Sequence, residues 1–109
     1  MKQPKAVVFC GSSRKDLRDF PEDARREAGL ELWAVQNDQE PSDWKPMSTI
    51  GIGAREIRIK DETGAYRVLY VVKIKDKVHV LHVFKKKTQR TAQKEIDLAK
   101  TRYRAIIES

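Results

Sequence analysis

Cysteine, histidine and long apolar stretches are nearly missing from this chain. Cys10 is the single cysteine, and His79 and His82 are the only histidines. One thiol cannot close an internal disulfide, so the expected setting is the reducing cytoplasm. Two histidines and one cysteine are too few soft ligands for a zinc site built by this chain alone. No apolar run approaches the roughly 20 residues of a membrane-spanning helix. Met1–Lys5 lacks the hydrophobic segment of an export signal, so no membrane partner and no export are expected. Acidic residues are scarce in one half only. Residues 54–109 carry fifteen Lys or Arg against seven Asp or Glu, a net of +8. Residues 1–53 carry eight against nine, a net of −1. The total is +7, with an isoelectric point near 9.7. Such asymmetry points to a polyanionic partner.

The 109 residues suit a single domain spanning 1–109. "KAVVFC" (Lys5–Cys10) is β-branched and reads as a strand. Ser13 and Asp16 have capping-box spacing, which predicts a short helix carrying Leu17 and Phe20 on one face. "PEDARREAGLELWAVQ" is a firm helix. Pro21, Glu22 and Asp23 suit its first turn, and Ala24, Ala28, Leu32 and Val35 form one apolar stripe. Gly29 weakens it but permits close packing, and Trp33 is expected to anchor it. Asn37–Gly53 reads as a loop, with Trp44 as a contact residue. "AREIRIKD" alternates, "AYRVLYVVKIK" is apolar on both faces, and "VHVLHVFK" returns after a tight turn. These are three strands of an antiparallel meander. Thr91 is read as the cap of a last helix with Ala92, Ile96, Ala99, Tyr103 and Ile106 on its buried side. The order β-α-α-β-β-β-α predicts an α+β domain with a small, mostly antiparallel four-stranded sheet and helices packed on one face.

The uncovered face should then be cationic. Arg58 and Lys60 leave the first meander strand, Arg67 opens the second, and Lys85, Lys86 and Lys87 end the third. His79 and His82 are expected on opposite faces of the last strand, so at most one joins them. Clustered like charges repel, and a nucleic-acid backbone would compensate them. The same residue types can cleave RNA. Attack of the ribose 2′-OH on the adjacent phosphate needs a base, cations around the phosphorane, and an acid at the leaving oxygen. Arginine clamps two phosphate oxygens, and crowding lowers a lysine's pKa towards acid–base use. The catalytic candidates are Arg67, Lys86, Arg58, Lys60 and His82. Lys85, Lys87, Arg90 and Arg55 are read as RNA-backbone contacts. No metal or other cofactor is implied.

The element order, the "AYRVLYVVK" strand and "HVFKKKTQRT" followed by "KEI-LA" resemble the RelE/ParE superfamily of bacterial toxins. The similarity is greatest to its HigB-like branch, described as phage-related or Gp49-like, and covers Val7 to about Ile107. The resemblance implies a toxin of a type II toxin–antitoxin pair that cleaves messenger RNA on the ribosome. It also implies a HigA-like helix-turn-helix antitoxin as partner. Arg67 matches the family's phosphate-binding arginine, and Lys86 the basic residue after the last strand. Two positions depart. Relatives carry a tyrosine early in the last helix where this chain has approximately Ala92, and a basic residue near the position of Glu56, which leaves the general base unassigned. Two other functions fit the charge pattern: a ParE-like inhibitor of DNA gyrase, and a basic nucleic-acid-binding module without catalysis.

Overall fold

The computed structural model describes residues 3–109, apart from the side chains of Lys73 and Ile74. The chain runs β1 (Val7–Phe9), α1 (Ser13–Arg18), α2 (Glu22–Gln36), β2 (Trp44–Pro46), β3 (Ala54–Asp61), β4 (Gly64–Ile74), β5 (Lys77–Lys86) and α3 (Gln93–Glu108). Among the described residues one sheet forms, in the order β1-β5-β4-β3-β2. Only β1 and β5 run parallel; β2 to β5 are antiparallel. The architecture is α+β, as the sequence predicts, but the sheet has five strands instead of four. The additional strand, Trp44–Pro46, lies within the segment read as a loop. Three residues ending in proline carry no alternation, and their strand character comes from pairing with Arg55–Ile57.

Helices cover both faces of the sheet, which corrects the expectation of one. Leu17 and Phe20 and the α2 residues Ala24, Ala28, Leu32 and Val35 pack on Ile57, Ile59, Tyr66, Val68, Tyr70, Val78, Val80 and Val83. On the other face α3 lays Ala99, with Ile96, Tyr103 and Ile106, over Ala54, Leu69, Val71, Leu81 and Phe84. The physical reason is visible in β4. Its middle is apolar on both sides, and neither side can be left to water.

Local chemistry departs from the sequence reading in several places. Ser12, not Ser13, precedes α1 and bonds Asp16; Ser13 is buried and donates to the Val80 carbonyl. Trp33 is exposed at the surface of α2. Gly29 faces open space, with no atom within 4 Å of an added Cβ, so it serves no close packing. Gly51 does: a Cβ there would meet the Tyr103 ring at 2.3 Å, and the Tyr103 hydroxyl donates to the Ile52 carbonyl. Among the described residues no helix is long and apolar enough to cross a membrane.

Candidate functional site

Alternation along the meander sorts the charged side chains between the two faces. Arg58 pairs in register with Arg67, which pairs with Phe84. One step inward the row is Lys45, Glu56, Leu69 and His82. One step outward it is Lys60, Ala65 and Lys86. All these lie on the α3 face, at the end of the sheet that α3 leaves open.

Glu56 is the centre of this group. Its side chain is fully buried, yet three cations surround its Oε1: Arg67 Nε at 3.5 Å, Arg58 Nε at 3.7 Å and Lys45 Nζ at 3.8 Å. None of these is close enough or aligned well enough to be a hydrogen bond, and Oε1 and Arg67 Nε make none elsewhere. The other carboxylate oxygen accepts from the Thr91 hydroxyl at 2.8 Å. Thr91 therefore ties the β5–α3 loop to β3. It does not cap α3, whose first turn follows Ala92 without a side-chain cap. Arg67 is nearly buried and also donates from a terminal nitrogen to the Tyr66 carbonyl. Burial pulls its guanidinium below the ordinary arginine value; Glu56 opposes this and Arg58 adds to it. Burial and the positive charge of Arg67 push the Lys86 ammonium below the usual lysine value, with Lys45 and Arg58 adding and Glu56 opposing.

The lysine triplet divides as an extended segment must. Lys86 projects to the Arg67 side. Lys85 projects to the opposite face, its ammonium 5.9 Å from the Tyr66 ring centroid. Lys87 is exposed beyond the strand end, and Arg90 is exposed in the loop before α3. Beside Lys86 a depression of ≈ 510 Å³ is lined by Phe84, Thr88, Ala92, Lys94, Glu95 and all three lysines. Arg55 lies on the α2 face, stacked over Trp44 at 4.0 Å; it does not join the cluster.

His82 does lie on the cationic face, but it is buried behind the front row. Its Nε2 meets Glu95 Oε1 at 2.9 Å and its ring stacks on Phe84 at 5.2 Å. His79 shares that face, against the expectation of opposite faces. A bulge in β5 skips Leu81, so Tyr70 pairs with Val80 while Leu69 pairs with His82. Of the residues grouped from the sequence, the structure brings Arg58, Arg67 and Lys86 together, leaves Lys60 at the margin, and places Lys85 and Arg55 on the other face. The sequence reading missed Lys45, hidden in the unrecognised strand, and the contacts of Glu56 and Thr91.

Known proteins resemble this chain in sequence and in fold. The family described as phage-derived protein Gp49-like (DUF891) matches residues 15–104. No curated protein matches. Among solved structures, the toxin–antitoxin complex RelBE2 from Mycobacterium tuberculosis contains a chain that is 26% identical, with a TM-score of 0.52 over 79% of this chain and 95% of that one.

Proposed function

Since the chain belongs to the phage-derived Gp49-like family of RelE/HigB-type toxins, we propose that it inhibits translation as a ribosome-dependent messenger RNA endonuclease. The observation that carries this reading is the convergence of Lys45, Arg58, Arg67 and Lys86 at one open end of the sheet. Four cations exceed what one buried carboxylate can neutralise, and an RNA phosphate supplies the missing negative charge. In the proposed reaction the 2′-oxygen bonds to the adjacent phosphorus and the bond to the 5′-oxygen breaks. The 2′-proton goes to a base, and the departing 5′-oxygen receives a proton. Arg67 and Arg58 hold the non-bridging oxygens as negative charge develops. Lys86, with its lowered pKa, exchanges the proton at the leaving oxygen. His82, stacked on Phe84, holds Glu95 in the lining of the depression beside Lys86.

The partner in this reading is an antitoxin of the helix-turn-helix, HigA-like kind, acting in the cytoplasm. It would carry acidic residues against the same cluster or block its approach to the ribosome. The decisive experiment is induction of the protein followed by mapping of messenger RNA 5′ ends, repeated in a purified translation system with and without the protein. New ends within translated codons are expected only where the protein is present. Growth arrest without new ends would favour the gyrase reading. Binding of RNA with neither effect would leave a binding module.

A further inference from the structure

A fully buried carboxylate amid four cations has a function to explain. A site meant only to grip phosphate would be stronger without it. We propose that Glu56 is the built-in counter-anion of the phosphate site: it holds the cations together while the site is empty, and it competes with the phosphate that enters. This rests on the reading of the cluster as a phosphate site.

The argument is geometric. Arg58 and Arg67 face each other across β3 and β4, and Lys45 joins from β2. Left alone, these charges would splay apart. Glu56 Oε1 sits 3.5–3.8 Å from all three, near enough for Coulomb attraction. It is too far or too poorly aligned to be a hydrogen-bond acceptor for them. The cations are therefore gathered by charge, and the donors of the partly exposed Arg58 and Lys45 stay available to a second acceptor. Thr91 fixes the carboxylate through the opposite oxygen, which keeps Oε1 from rotating into a tighter pair with any one cation. Glu56 thus acts as a positioning residue. It trades phosphate affinity for a site already in shape, so less rearrangement is needed when RNA binds.

Binding of inorganic phosphate, and of a single-stranded RNA with one 2′-deoxy position to prevent cleavage, tests this. Glu56→Gln keeps the shape and the Thr91 contact but removes the charge. It should bind both probes roughly tenfold more tightly, as expected for deleting one like charge a few ångströms from the phosphate. On ribosomes KM should fall while kcat also falls, because the arginines are no longer held. Lys45→Gln should weaken binding, and adding Glu56→Gln should restore it to the level of the wild type. That double variant keeps the net charge of the cluster and remains informative if Glu56→Gln alone does not fold. Equal or weaker binding by Glu56→Gln, or no restoration in the double variant, would overturn the proposal. If the variants follow this order but no RNA is cut, only the nuclease reading falls.

Discussion

Replacing the three consecutive lysines one at a time separates a built site from a diffuse basic patch. Lys86 shares a face with Arg67 and Arg58, whereas Lys85 points to the α2 face above Tyr66 and Lys87 lies past the strand. A hydrogen bond from an ammonium to a phosphate contributes about 1.5–3 kcal/mol net. At about 1.4 kcal/mol per factor of ten, Lys86→Ala should lower kcat/KM by roughly 10- to 150-fold. Lys85 and Lys87 act only at long range through screened solvent, so their alanine variants should lose no more than about threefold. The assay is the rate of messenger cleavage on purified ribosomes, with growth arrest after induction as the cellular readout and thermal melting as the folding control. Lys86 is partly exposed, so its removal should leave the melt unchanged. Three equal losses would refute the facial argument and mean that any positive charge there serves. No loss in any variant would mean that the triplet only promotes solubility.

Other consequences can be measured separately. Arg67→Ala should abolish cleavage and also destabilise the fold by about 1–3 kcal/mol in urea titration, because it strips a buried partner from Glu56 while Arg58 and Lys45 remain. An unchanged urea midpoint would mean that the position carries little structural weight. Gly29→Ala, in an exposed helical site free of neighbours, should stabilise the protein by about 1 kcal/mol without altering toxicity. The Asp61 carboxyl is held below its ordinary value by bonds from the Thr63 hydroxyl and the Thr63 and Gly64 amides. Its contribution to the β3–β4 turn should be present above the ordinary carboxylate pKa and disappear as pH falls through the lowered one. NMR titration of the Gly64 amide, absent in Asp61→Asn, would show it. Naked RNA should be cut far more slowly than ribosome-bound message, since no base is assembled at the site; equal rates would contradict this.

Much of this was legible in residue order. The α2 stripe, the meander and the separation of Lys86 from Lys85 follow from periods of 3.6 and 2, which local sterics enforce. What was missed depends on long-range pairing. Lys45 became visible only when β2 paired with β3. The two histidines came to one face through a bulge, and a one-residue offset of that kind leaves no mark in composition. Thr91 has the chemistry of a helix cap, and a buried carboxylate from β3 claims it instead. The placement of α3 could have been inferred. A strand apolar on both faces needs cover on both, and "AYRVLYVVKIK" is such a strand.

The parallel pairing of β1 with β5 has a consequence for how the protein is made. Val7 finds its partner at Val78, 71 positions along the chain. During synthesis the first strand must wait, without its pairing partner, until the last strand emerges. The cationic site waits longer, because Thr91 and α3 follow β5. A nascent chain is therefore assembled as a functional unit only after Thr91 and α3 have been made. A protein proposed to attack translating messages would in this way be unarmed until that last helix is in place.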